Sequence, residues 1–306
     1  MKDKVVFVTG AARGIGAAVS KQLAERGARV VLTGLEPEEL AARQAELGTG
    51  HMAREVDVTS ADSLKAAVAD VMNEYGRIDA VIANAGIGSY GTVEKGDPEA
   101  WFRTIDVNLF GVYRTIYTTL PHIIESRGYV LVIASVASFM SLPGMTSYSV
   151  SKAGVESLVR GLRAEVGFKG VDAGSAHPSW IDTDLVRESA EDLGAFRKMR
   201  ANLPWPLKAT TPLEQCAKTI ADGVENRKAR IFVPGSAGLV YWLRSLLNTG
   251  AIERANEKLF AEAVPQMERE IEVLGRSSSA RTTAINKMRP TEPKAAETET
   301  SSQTRR

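Results

Sequence analysis

Short runs rich in β-branched residues recur from Val5 to about Val233, each followed by a longer stretch with apolar residues at helical spacing. The runs are Val5–Val8, Arg29–Thr33, Met52–Val56, Ala80–Ala83, Tyr129–Ala134, Val171–Ala176 and Arg230–Val233. Between them Val19 and Leu23, and later Leu64, Val68, Val71 and Met72, return at intervals that place each set on one helix face. This alternation predicts an α/β chain, with seven parallel strands in a doubly wound sheet covered by helices. A ligand of such a sheet lies beyond the carboxyl ends of the strands, where strand order reverses, here between the first strand and the fourth.

Past Pro234 the pattern stops, so residues 1–234 read as the main domain, 235–275 as an appendage and 276–306 as a tail. Gly238–Leu247 is compact, apolar and aromatic, and fits a lid, a dimer contact or a membrane-surface contact. Ala251–Leu274 reads as a charged amphipathic helix. Arg276–Arg306 is rich in Ser, Thr, Glu, Lys and Pro with almost no large apolar residue, which predicts disorder because nothing offsets the entropy of ordering. The chain has 306 residues, 44% apolar and 25% charged, enough for one large core. Its 38 basic and 37 acidic residues leave a net charge of +1, with no field to recruit nucleic acid. Cys216, the single cysteine, has no partner for an internal disulfide and suits a reducing, cytoplasmic compartment. The apolar run after Met1-Lys2-Asp3-Lys4 is too short for a signal peptide, and no run reaches the ~18 residues of a membrane span. His51, His122 and His177 lie far apart without metal-ligand spacing, so no metal is expected.

Thr9-Gly10-Ala11-Ala12-Arg13-Gly14-Ile15-Gly16 follows the first strand and precedes the helical stretch Ala17–Arg26. Gly10 and Gly14 permit backbone conformations closed to residues with a Cβ, and Gly16 lets the helix sit close to strand and phosphates. The helix N-terminus then faces a pyrophosphate, so the motif marks a dinucleotide site. At the end of the second strand, Val30-Val31-Leu32-Thr33-Gly34-Leu35 carries no carboxylate for a ribose diol. With Arg13 in the glycine loop this favours NADP(H); NAD(H) stays an alternative, since Glu36 comes next and Arg13 also reads as a solvated loop residue. Tyr148 and Lys152 are four residues apart and share a helix face. A free tyrosine ionises at about pH 10, and a neighbouring ammonium favours the phenolate, which makes Tyr148 a usable general acid/base. Ser135 offers a hydrogen-bond donor for the same substrate oxygen.

Together these residues resemble the classical short-chain dehydrogenases/reductases from about Lys4 to Val233. Thr9–Gly16 is similar to the family's glycine motif, Asp57-Val58 to its adenine-contacting pair, and Asn84-Ala85-Gly86 to the segment that stabilises its central strand. Asn108, Ser135, Tyr148 and Lys152 are similar to its four catalytic residues, and Ile181 and Thr183 to residues against the nicotinamide and its carboxamide. The resemblance implies a Rossmann-like fold, hydride transfer at CH–OH groups, and a homodimer or homotetramer. It also implies that Lys152 holds ribose hydroxyls and that Asn108 supports a proton-relaying water. Cofactor contacts then fall to Gly10, Arg13, Gly14, Ile15, Gly16, Asp57, Val58, Asn84, Ala85, Gly86, Tyr148, Lys152, Pro178, Ile181 and Thr183. Two departures stand out: Ala83 replaces an asparagine of many members, and His177-Pro178-Ser179-Trp180 replaces the more usual Pro-Gly. Trp180 there either shapes substrate entry or simply packs.

Specificity is expected from the loop Asp184–Pro212, whose Leu185, Leu193, Phe196, Met199, Leu203, Trp205 and Leu207 predict an apolar pocket. Arg187, Arg197, Lys198 and Arg200 form a solvated helix face or meet an acidic tail such as a coenzyme A phosphate. The sequence therefore points to an oxidoreductase of hydrophobic alcohols and carbonyls. Its rivals are a cofactor-sensing protein without turnover and a lipid, steroid or retinoid dehydrogenase working at a membrane surface.

Overall fold

The computed structural model describes residues 1–203, 207–247, 249–250, 254, 257 and 260–288, and each of the seven β-branched runs is a strand in it. They are β1 (Val5–Thr9), β2 (Arg29–Gly34), β3 (Met52–Glu55), β4 (Ala80–Ala83), β5 (Tyr129–Ile133), β6 (Asp172–Pro178) and β9 (Arg230–Val233). Two short strands, β7 (Trp180–Ile181) and β8 (Thr210–Thr211), pair with each other. The helices are α1 (Gly14–Glu25), α2 (Pro37–Leu47), α3 (Ala61–Tyr75), α4 (Pro98–Ile105), α5 (Gly111–Glu125), α6 (Thr146–Val166), α7 (Asp184–Asp192), α8 (Gly194–Ala201), α9 (Leu213–Glu225), α10 (Ala237–Leu247), α11 (Ala263–Leu274) and α12 (Ala280–Met288).

The large sheet is parallel throughout and runs β3-β2-β1-β4-β5-β6-β9, a Rossmann-like doubly wound order. Val6 pairs with Val30 on one side and Ala80 on the other, so strand order reverses at β1 and a crevice opens beyond β1 and β4. Successive strand residues point to opposite faces. Val5 and Phe7 therefore enter one core layer with Leu64, Val71, Ile116 and Val155, while Val6 and Val8 enter the other with Leu23, Leu131 and Ile220. Local signals set the helix ends. Ser60 Oγ accepts from Ser63 N at the start of α3, and Gly76 ends that helix in the left-handed region at φ 69.

A third cluster ties the loop after β6 to the C-terminal helices, joining Leu193, Phe196 and Met199 to Val240, Phe260 and Met267. In α10, Val240 and Tyr241 are buried, whereas Leu239, Trp242 and Leu243 are exposed. No helix among the described residues is long and apolar enough to cross a membrane.

The expected disorder of the tail is corrected over residues 276–288, which fold back onto the main domain. Arg276 grips Asp192 with both terminal nitrogens at 2.6 Å. Tyr90 N donates to Ser277 O at 2.8 Å, and Ser278 bridges to Ser89. Ser279 then caps α12, its Oγ accepting from Thr282 N at 3.3 Å. Charge pairs and backbone bonds to distant residues, rather than burial of the segment's own apolar side chains, order it. Residues 289–306 and Trp205 lie outside the described residues.

Candidate active site

The loop from β1 to α1 is shaped by contacts that exclude side chains. Gly10 has φ +65, and a Cβ there would meet Ala85 Cα at 2.8 Å. A Cβ on Gly16 would meet Gly10 O at 2.2 Å, so only glycine lets α1 close on the loop. Asn84 locks this loop to the end of β4, its Nδ2 donating to Thr9 O at 2.8 Å and Gly10 O at 3.0 Å. The Asn84 and Ala85 N–H groups donate to Thr9 Oγ1 at 3.0 and 3.1 Å. Arg13 precedes α1 without capping it by its side chain, so no side chain caps the first-turn N–H groups, which suit an anion.

Three elements bring the polar side chains together. Ser135 follows β5, where Ala137 N donates to its Oγ at 3.1 Å and the hydroxyl donates to Pro178 O at 3.3 Å. Tyr148 and Lys152 lie on α6, with Lys152 Nζ 5.5 Å from the Tyr148 ring centre and donating to Ile133 O at 2.8 Å. Asn108 sits in a π-helical turn, Asp106–Phe110, between α4 and α5. Its amide holds both backbone groups of Ile87, accepting from N at 2.8 Å and donating to O at 2.9 Å. A Cβ on Gly86 would lie 3.3 Å from Asn108 Oδ1 and 3.5 Å from Lys152 Nζ, so the two side chains converge there. Burial pushes the Lys152 ammonium down to about 8. Burial also pushes the Tyr148 phenol up, against the opposing hydrogen bond of Ser135.

Two cavities meet at this group. The first runs along the crevice and is lined by Gly10, Arg13, Gly14, Ile15, Asp57, Val58, Asn84, Ala85, Gly86, Tyr148, Lys152 and Thr183. The second is mostly apolar and is lined by Ser135, Met140, Leu142, Tyr148, Trp180, Leu185, Leu193, Phe196 and Met267. Tyr148 and Leu185 belong to both. The glycine cradle, the uncapped helix start and the elongated crevice fit a dinucleotide. Pro178 and Ile181 stand behind the crevice: the Pro178 carbonyl accepts from Ser135, and Ile181 is 2% exposed within the core. Gly16 packs beneath the loop.

Residues 4–194 match the family described as short chain dehydrogenase. The chain belongs to that family. An uncharacterized oxidoreductase of Staphylococcus saprophyticus is 36% identical over 208 residues, covering 65% of this chain and 86% of that protein. An 11-beta-hydroxysteroid dehydrogenase of Pinus massoniana is 32% identical over 236 residues, 73% of this chain and 65% of that protein. The crystal structure of a short chain dehydrogenase/reductase from Burkholderia phymatum in complex with NAD has a TM-score of 0.70 at 21% identity, covering 81% of this chain and 96% of that one, a likeness of fold.

Around this short-chain dehydrogenase core the structure adds residues that the motifs did not indicate. Arg103, Glu188 and, from α12, Thr282, Ile285 and Asn286 line the crevice, beside the Glu36 already weighed in the cofactor reading. Met267 of α11 lines the apolar cavity, whereas no described residue of α10 lines either one. Trp180 stands edge-on to Phe196 at 5.4 Å under the Arg200 guanidinium, so it walls the cavity. The other loop cations are engaged within the chain: Arg187 with Asp182 and Asp184, Arg197 with the Ala190 carbonyl, and Lys198 with Gln266. His177 is fully buried behind Ser135, its Nε2 2.9 Å from Ser175 Oγ and its Nδ1 3.3 Å from Ser138 Oγ.

Proposed function

We propose that this chain is an NADP(H)-preferring oxidoreductase that interconverts a small hydrophobic alcohol and its ketone or aldehyde. One observation carries the reading: Tyr148, beside Ser135 and Lys152, stands where the dinucleotide crevice opens into an apolar cavity. When bound, the nicotinamide supplies the hydride chemistry. In the reducing direction Tyr148 gives its proton to the substrate carbonyl oxygen, and Ser135 donates a hydrogen bond to the same oxygen. Lys152 has N–H donors beyond the one used on Ile133 O, and these hold the ribose hydroxyls. Its charge, with that of the oxidised ring, opposes the burial that keeps Tyr148 a neutral phenol. Asn108 fixes the Ile87 backbone and supports a water that relays protons past Lys152.

Support for NADP(H) comes from Arg13 in the crevice and from Gly34 and Leu35, which carry no carboxylate themselves, while the Glu36 carboxylate that follows them is paired with Arg13 at 3.4 Å. Met140, Leu142, Phe196 and Met267 favour an apolar substrate of the lipid, steroid, retinoid or acyl class. The name of the Pinus relative is in keeping with that class. Exposed Phe102, Phe110, Tyr113 and Tyr117 on the α4–α5 side support a homodimer or homotetramer. The exposed apolar face of α10 offers a second such surface, toward another copy or a membrane. A reducing cytoplasm suits Cys216, which is buried, with its thiol pushed up to about 12.

Titration with NADPH and NADH by nicotinamide fluorescence, followed by turnover of a panel of apolar ketones, tests the proposal. Tighter NADPH binding with ketone reduction is the expected result. Failure to bind either dinucleotide overturns it.

A further inference from the structure

The segment 276–288 ends over the adenosine half of the crevice, and it brings a cation there. Its near end is fixed by the Arg276–Asp192 pair and by the Tyr90 hydroxyl, which donates to Asp192 at 2.5 Å. From Ser279 onward α12 runs above the crevice, with Thr282, Ile285 and Asn286 facing it. On the same helix Arg281 reaches α2, donating to Glu39 at 2.6 Å. It also approaches Glu36 Oε1 at 3.5 Å, and that same oxygen lies 3.4 Å from Arg13 Nε. Two guanidiniums from opposite ends of the chain thus converge on one carboxylate oxygen beside Gly34 and Leu35, where the adenosine ribose of a dinucleotide is read.

We infer that Arg281 is a specificity-determining residue of the cofactor site and forms, with Arg13, a clamp for the 2′-phosphate of NADP(H). The inference rests on the dinucleotide reading above and extends it to the C-terminal segment. A carboxylate oxygen between two guanidiniums occupies the kind of place a phosphate oxygen takes, because carboxylate and phosphate oxygens both accept charge-assisted hydrogen bonds from the planar fork of arginine. Phosphate carries the larger negative charge, so it competes for the two cations, and Glu36 turns aside. Glu36 and Glu39 oppose phosphate binding when the arginines are removed, and this makes the site selective instead of merely basic. With a 2′-hydroxyl Glu36 has no competitor and keeps its place. Arg281 therefore adds affinity only for the phosphorylated cofactor. Among the described residues, Lys and Arg elsewhere on the crevice wall are Arg103 and Lys152, at the sides of α4 and α6.

Calorimetric titration of the full-length protein with adenosine 2′,5′-bisphosphate and with ADP, which carry no nicotinamide, tests this without turnover. Arg281→Gln is expected to weaken the 2′-phosphate ligand tenfold or more and to leave ADP within twofold. Arg281→Lys is expected to recover part of the loss, and Glu36→Gln to tighten the 2′-phosphate ligand. Equal weakening of both ligands by Arg281→Gln makes the residue a structural tie and overturns the inference, as does no change in either. If the unaltered protein binds ADP but shows no preference for the 2′-phosphate, the NADP reading and this inference fall together. If it prefers the phosphate and Arg281→Gln does not alter that, only the inference falls.

Discussion

Tyr148 and Lys152 are held where burial favours the uncharged form of each, so their chemistry depends on charge brought to them. Tyr148→Phe keeps the ring and its packing while removing the transferable proton. Its expected effect is a fall in kcat of about 10²–10⁴-fold with dinucleotide affinity nearly unchanged, measured by steady-state rates beside a binding titration. Lys152 gives a pH signature. Its folded value of about 8 lies below the unfolded 10.5, so in that window the unfolded chain binds the extra proton and stability rises with pH. The burial penalty is complete below pH ~8, and it is absent from Lys152→Met. Denaturant titrations are therefore expected to show the wild type gaining on Lys152→Met as pH climbs from about 8 to about 10, by up to about 3 kcal/mol. A difference independent of pH counts against the buried ammonium. The Lys152–Tyr148 pairing is legible because four-residue helical spacing is local geometry. The burial of both groups was not, since the walls around them come from β5, the loop after β6 and α11.

At the scale of elements, the strap 276–288 separates what local sequence shows from what it hides. A window over Ala280–Met288 shows Ile285 amid polar residues and no strong apolar face. Its order comes from Arg276 pairing with Asp192 and Arg281 with Glu39, partners 84 and 242 positions away. No periodicity could reveal that. The central strands were legible for the opposite reason: β1, β4 and β5 are buried along their whole length and written as apolar runs, whereas edge strand β3 leaves Arg54 and Glu55 exposed. Arg276→Ala is expected to raise hydrogen exchange in 276–288 while leaving β1, β4 and β5 as protected as before, because it opens one local unit. Unchanged exchange in the strap means that Ser277, Ser278 and α12 hold it without the ion pair. For Gly238–Leu247 the structure divides the alternatives by face. Tyr241 packs on Phe139, His177 and Phe232, and the opposite side remains open for a second copy or a lipid surface.

Over the whole molecule, the sheet reversal at β1 opens the crevice proposed for the dinucleotide, and the third hydrophobic cluster joins the loop after β6 to the C-terminal helices. The apolar cavity is therefore a product of the appendage as well as of the dehydrogenase core, with Met267 reaching it from α11. The exposed aromatic band from Phe102 to Tyr117 is expected to bury itself between copies. Tyr117→Glu, measured by light scattering beside the wild type, is expected to give a smaller species with its circular dichroism preserved; an unchanged mass places the contact elsewhere. The proposed function stands on the proton that Tyr148 gives to the substrate oxygen during carbonyl reduction. NADPH consumption with an apolar ketone, followed in wild type and Tyr148→Phe that bind the dinucleotide equally, tests it most directly. Turnover by the wild type alone is the result expected. Comparable turnover by both proteins contradicts the account.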